Sequence, residues 1–255
     1  MNETTLQLPG EVRITDEADA LYDELAADLL DVAREAVEQR GQFHLALSGG
    51  GTPEPFYVRL VIDPTWRTLP WKQTHIWLVD ERWVPREDAR SNFRMIREAL
   101  ITQVPTPAEQ VHPVPTTSAD PADAYEAAMR EVFGNLAEAP SLDWVLLGMG
   151  DDAHTASLFP QSAALDVTDR WIANNDGPNV VPPPRITMTY PLLNAARNLR
   201  VLVTGAKKHA TLRRIEQHMK EHGPDPSVLP ITGVSPARGN ITWFLDGPAA
   251  MGAGG

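Results

Sequence analysis

The chain of 255 residues contains no cysteine, which excludes disulfides and thiolate metal sites. That absence fits a reducing compartment, and the cytoplasm is the expected location. No apolar run is long enough to span a bilayer. The N-terminus lacks the basic-then-apolar pattern of a secretion signal and carries Glu3 early. Membrane attachment is therefore not expected. Positive charge is scarce: 22 Lys and Arg against 34 Asp and Glu leave a formal charge of −12. Such a field opposes nonspecific binding to nucleic acid, and an anionic substrate needs a local cluster of Arg and Lys to overcome it. No Ser/Gly-rich linker divides the middle and no internal repeat is visible. The expectation is one domain over 1–255, as a monomer or weak homo-oligomer, with a small-residue tail fraying after about 248.

What the chain does have is an alternation of apolar strands and helical stretches. Leu21, Leu25 and Leu29 recur at helical spacing, extended by Val32 and Val37, with Asp16 as the expected cap and Gly41 as the stop. Residues 43–47 read as a buried strand, followed by a turn and a short helix over 53–60. Further strands are expected at 76–79, 144–147, 171–174, 186–189, 201–204 and 241–245. Helices are expected up to Leu100 after a Ser91 cap, over 122–133 with Asp120 as cap, and over 207–218. The proline-rich piece 105–115 reads as a surface connection. The alternation predicts an α/β fold, a mostly parallel sheet with helices on both faces.

The most informative stretch is 144–160, WVLLGMGDDAHTASLFP. An apolar strand runs into a glycine-rich turn with two carboxylates and a histidine, then into a small-residue segment able to start a helix. Strand ends of this kind deliver reactive groups to the rim of an open sheet. Only a histidine ordinarily titrates near neutrality, so His154 can both take and give a proton. Asp151 and Asp152 are placed to position it. They also suggest a cation, but metalloprotease spacing is absent, and no metal is expected.

Three other constellations sit at strand ends. In Ser48-Gly49-Gly50-Gly51-Thr52-Pro53 the glycines expose backbone N–H groups, the hydroxyls add donors, and a helix start lies beyond. That is the making of a phosphate cradle, although a tight ligand-free turn has the same composition. It is neither a Walker loop nor a dinucleotide fingerprint. In Asp80-Glu81-Arg82, Arg82 can fork onto anionic oxygens, whereas Asp80 can orient a base, act as one, or pair with Arg82. Glu81 reads as structural and Asn92 as part of a helix start. Arg185, Lys207 and Lys208 flank later strands; each alone is an ordinary surface charge, but together they aim positive charge at one sheet edge. His218 and His222 read as solvated, and His44, His75, His112 and His209 join no constellation.

In combination, the motifs LSGGGTP, VDERWVP with SNFRM, GMGDDAHTASLFP, RITMTYPLLN and VTGAKK resemble those of the 6-phosphogluconolactonases, within the glucosamine-6-phosphate isomerase/6-phosphogluconolactonase family. The resemblance covers nearly the whole chain. It implies the glucosamine-6-phosphate isomerase-like fold and hydrolysis of 6-phospho-D-glucono-1,5-lactone to 6-phospho-D-gluconate in the oxidative pentose phosphate pathway, with no cofactor. It also implies that Ser48, Gly49, Gly50 and Thr52 contact substrate or phosphate, that Arg82, Arg185 and Lys208 are cationic contacts, and that Asp80 and His154 lie nearest the reaction. One departure stands out: family members usually carry Gly before the histidine, where this chain has Ala153. Two rival readings remain. One is a glucosamine-6-phosphate deaminase or isomerase, whose similar motif normally has Tyr at the place of Arg82. The other is a non-catalytic sugar-phosphate-binding regulator, which should bring a basic DNA-binding segment that is not visible here.

Overall fold

Residues 6–252 are described by a computed structural model. Along the chain run β1 (Glu11–Thr15), α1 (Ala18–Arg40), β2 (Phe43–Leu47), α2 (Glu54–Ile62), β3 (Thr74–Leu78), β4 (Asp80–Arg82), α3 (Asn92–Ala99), β5 (Val111–His112) and α4 (Pro121–Phe133). They are followed by β6 (Trp144–Leu147), β7 (Ile172–Asn175), β8 (Arg185–Met188), α5 (Tyr190–Ala195), β9 (Asn198–Val203), α6 (His209–His222), β10 (Asn240–Asp246) and α7 (Gly247–Met251).

A seven-stranded sheet has the order β1-β10-β9-β6-β2-β3-β5, with every neighbouring pair parallel. All residues of β2 and β6 are buried. Successive side chains point to opposite faces, so both faces are covered, as an uninterrupted apolar run requires. Helix α1 lays Leu21, Leu25, Leu29, Ala33 and Ala36 into the core. Each buried leucine contributes about 1.5–3 kcal/mol relative to exposure. Trp77, Trp144 and Trp243 are fully buried. The Trp144 indole donates to Asp28 (2.7 Å), which also pairs with buried Arg200 at 2.7 Å. Among the described residues, no helix is long and apolar enough to cross a membrane.

The expected α/β sheet is present, but several local expectations are corrected. Asp16 does not cap α1; the cap position is Glu17, whose side chain makes no cap bond. The stretch 105–115 is not merely a surface connection, because Val111–His112 pairs with β3 at the sheet edge. The small residues after His154 start no helix; Thr155 and Leu158 form an isolated bridge instead. Past 248 the chain continues in α7, which runs to Met251. Asp246 accepts from the Ala249 N–H and starts α7. Residues 253–255, like Glu3, lie outside the described residues.

A second sheet was not expected. Its order is β4-β8-β7 and its pairings are antiparallel. It branches from the main sheet at Val79, whose N–H donates to Leu47 and whose carbonyl accepts from Met188. The branch matters for function because it opposes the carboxyl ends of β2 and β6. Those two strands are neighbours, yet the chain leaves β2 toward β3 and leaves β6 toward β9 on the other side. In open α/β sheets, such a reversal opens the crevice where ligands bind.

Candidate active site

A cleft of about 300 Å³ lies at this reversal. It is lined by the turn after β2, the turn after β6 and one face of the small sheet, including Ser48, Gly49, Gly50, Thr52, Asp80, Arg82, His154 and Arg185. A larger hollow of about 470 Å³, beside Trp171 and Arg238, contains none of the candidate residues. Chemistry rather than size distinguishes the two.

The small sheet delivers the charges. Arg82 and Arg185 are directly opposed in the β4–β8 register, as are Asp80 and Thr187. Alternation puts these four side chains on one face and Glu81 with Ile186 on the other. Like charges placed opposite each other destabilise a sheet unless an anion lies between them. Arg185 is buried. Burial pulls its guanidinium below the ordinary arginine value, Asp80 opposes that shift, and the neighbouring Arg82 adds to it. Arg185 donates to the Pro183 carbonyl, and Arg82 donates to the Arg90 carbonyl at 2.8 Å. No ion pair joins either arginine to a carboxylate among the described residues, so Asp80 is not simply the partner of Arg82.

Asp80 is held from two sides. Its Oδ2 accepts from the Ser157 hydroxyl at 2.6 Å, and its Oδ1 accepts from the Asn92 amide at 3.2 Å. Glu81 is structural, as expected. Its buried carboxylate accepts from the N–H groups of Arg82, Asn92 and Phe93 and from the Ser91 hydroxyl, tying β4 to the start of α3. Burial pushes its pKa up, and the three N–H bonds oppose that shift.

The turn after β6 delivers the histidine. The Gly150 N–H donates to the His154 carbonyl, and the Ala153 N–H donates to the Gly150 carbonyl. This closes a tight loop in which the Asp152 carboxylate meets His154 Nδ1 at 2.6 Å. A carboxylate only accepts, so Nδ1 donates to Asp152 and Nε2 is the ring nitrogen left for the base role. Partial burial raises the Asp152 pKa, but the bond and charge of His154 outweigh it and the net shift is downward. Phe159 packs against the imidazole with ring centroids 4.6 Å apart.

Ala153 keeps the geometry expected of glycine. Its φ is +67° and its side chain is buried. The left-handed conformation costs an alanine about 1–2 kcal/mol. Gly150 is held to glycine by close approach. A Cβ there would lie 2.1 Å from His154 Nδ1 and 2.6 Å from Asp152 Oδ1. Gly150→Ala is therefore expected to push the pair aside and lower kcat about 10–100-fold, because displacement of a reacting group by 1 Å has effects of this size. A folded variant with parental kcat would show that this pair does not work from its observed position.

The other expected residues separate. Gly49, Gly50 and Thr52 line the cleft. Ser48 lines it too, and its hydroxyl donates to the Leu146 carbonyl at 2.7 Å, bonding the end of β2 to β6. Lys208 does not line the cleft. Lys208 follows β9, and its Nζ meets Asp151 of the histidine turn at 2.5 Å. Asp151 thus holds this lysine rather than the imidazole. No group of three or more His, Cys, Asp or Glu suited to a metal occurs among the described residues. Ser157, Asn175 and Thr187 were not singled out in the sequence. Their partners are far away along the chain, and no local spacing signals them.

The chain matches the model of the family described as glucosamine-6-phosphate isomerases/6-phosphogluconolactonase over residues 16–243. It is 42% identical over 224 residues to a 6-phosphogluconolactonase of Nostoc sp., covering 86% of this chain and 87% of that one. It is 42% identical over 217 residues to a 6-phosphogluconolactonase of Synechocystis sp., covering 83% and 85%. The structure of 6-phosphogluconolactonase from Trypanosoma cruzi superposes with a TM-score of 0.80 at 26% identity, covering 98% of each chain.

Proposed function

The chain belongs to the glucosamine-6-phosphate isomerase/6-phosphogluconolactonase family, and from that premise we infer that its cleft hydrolyses 6-phospho-D-glucono-1,5-lactone to 6-phospho-D-gluconate. The activity is that of a lactone hydrolase in the oxidative pentose phosphate pathway. The observation that carries the reading is the opposed pair Arg82 and Arg185, facing a histidine whose Nδ1 is held by a carboxylate.

In our mechanism, the turn 48–52 and Arg185 hold the distal phosphate. Charge-assisted hydrogen bonds contribute roughly 1.5–3 kcal/mol each, so a few fix the remote end of the sugar and place C1 beside His154. Nε2 of His154 takes a proton from water as the water oxygen bonds to C1. The carbonyl electrons move onto oxygen, and Arg82 or the backbone N–H groups of the turn stabilise that charge. Collapse breaks the bond between C1 and the ring oxygen, and His154 returns its proton to that oxygen. Asp80 orients water or sugar hydroxyls as an acceptor. Asp152 holds the ring and steadies the imidazolium. None of these steps calls for a cofactor. On the cysteine-free composition we place the activity in the cytoplasm, in a single domain acting as a monomer or weak homo-oligomer.

A time course with freshly made phosphorylated lactone tests the activity against spontaneous hydrolysis. The phosphorylated lactone should be cleared far faster than the blank, and its unphosphorylated analogue barely faster. Blank rates for both, or ammonia release from glucosamine 6-phosphate, would overturn the reading. Arg185→Ala tests the anchor. Loss of one charge-assisted contact is expected to raise KM about 10–100-fold with little change in kcat. A defect confined to kcat would remove Arg185 from phosphate binding.

A further inference from the structure

Asp80 and His154 reach the cleft from different sheets. Asp80 stands on β4 of the small sheet, and His154 follows β6 of the main one. Their separation therefore depends on how the two sheets are locked together. Ser157 sits at that junction and is fully buried. Its hydroxyl donates to Asp80 Oδ2 at 2.6 Å, and its N–H donates to the Thr187 hydroxyl on β8 at 3.1 Å. Its carbonyl accepts from the Asn175 amide on β7 at 2.8 Å. Every polar group of this serine thus ends on the small sheet, while only Thr155 and Ala156 separate it from His154 in the chain.

The connecting segment is strained on both sides of the histidine. Ala153 has φ +67° and Ala156 has φ +50°. Non-glycine residues persist in that region only where surrounding contacts over-determine them. Here the contacts are identifiable. Thr155 donates to the Gly148 carbonyl at 2.8 Å, and the Ile231 N–H holds the Ala153 carbonyl at 3.0 Å. Ser157 fixes the far end.

We propose that Ser157 is a positioning residue, which sets the distance and orientation between the Asp80 carboxylate and the His154 imidazole by bonding the histidine segment to the small sheet. This inference rests on the roles given above to Asp80 and His154. In this role Ser157 acts through Asp80 rather than on the reacting atoms. Its hydroxyl fixes Oδ2 of Asp80, while the Asn92 amide holds Oδ1.

A double-mutant cycle with Asp80 tests it, with kcat and KM measured above the spontaneous rate. Ser157→Ala is expected to lower kcat about tenfold or more and to leave KM within about threefold. Ser157→Cys, which keeps a weak donor of similar shape, should fall between parent and alanine, and it carries the comparison if the alanine variant does not fold. In an Asp80→Ala background the same Ser157→Ala change should alter kcat by less than about twofold, because its target is gone. Equal losses in both backgrounds would reveal a merely structural serine and overturn the proposal. Parental kcat in Ser157→Ala beside an impaired Asp80→Ala overturns the positioning alone, whereas parental kcat in Asp80→Ala overturns the assignment of Asp80 as well.

Discussion

Replacing His154 with alanine is expected to lower kcat by about 10²–10⁴-fold, the range that a positioned general base supplies. In energy this is about 3–5 kcal/mol of transition-state stabilisation. KM should move by less than about threefold, because the imidazole acts on water and the ring oxygen rather than on the distal phosphate. The ring reaches this task already oriented. Asp152 holds Nδ1 at 2.6 Å, and Phe159 packs against the imidazole. Its side chain remains about one-third exposed, so water reaches it. Residual turnover above the blank is expected from the arginines and the turn. Turnover equal to the parent would remove His154 from the chemistry and leave the cleft as a binding site only.

The second large effect concerns acid and lies away from the cleft. His44 on β2 stacks near His75 on β3 and Phe133 on α4, with ring centroids 4.7 and 4.3 Å apart. His75 Nδ1 meets His112 Nε2 on β5 at 3.0 Å. Burial, then the neighbouring charges of His75, His112 and Arg40, pulls the His44 pKa down to about 3. Burial and His75 pull His112 down to about 4, and burial lowers His75. An unfolded histidine titrates near 6.5. Between these limits the unfolded chain binds more protons than the folded one, so stability rises with pH. It is complete above about pH 6.5 and is lost as the pH falls toward 3. His44 alone accounts for about 4–5 kcal/mol of that loss, at about 1.4 kcal/mol per pKa unit. Buried Asp143 and Glu81 have raised pKa values and oppose the trend at the acid end. Urea unfolding from pH 7 to pH 4 should show the decline, and His44→Phe should flatten it. An identical slope in parent and variant would rule out the histidine stack as its source.

Much of the fold was visible in the sequence wherever local chemistry dominates. Ser91 and Asp120 cap α3 and α4 as expected because an N-cap acts within three residues. β2 and β6 were legible because strands buried on both faces are uninterrupted apolar runs. β4 was not. Asp80-Glu81-Arg82 carries no apolar pattern, and it becomes a strand only because β8 supplies its partner a hundred residues later. The two-residue β5 was hidden in a proline-rich stretch for the same reason. The opposed arginines follow from that register alone. Lys208 shows the converse. The sequence offers it as a ligand contact, and the structure adds a contact the sequence does not announce, Nζ on Asp151 of the turn after β6.

The sequence by itself determined the alternating α/β class, the family, the strand-end location of the reactive groups, and the candidacy of His154, Asp80, Arg82 and Arg185. All of these depend on residue types at short spacing. Only the tertiary structure decided which charges meet. It paired Arg82 with Arg185 across two strands, turned Asp151 to Lys208 and Asp152 to His154, tied the Ser48 proton to Leu146, and brought Ser157 to Asp80. Contacts between residues far apart in the chain depend on strand order and register, which are set by burial of the whole core and not by any local stretch.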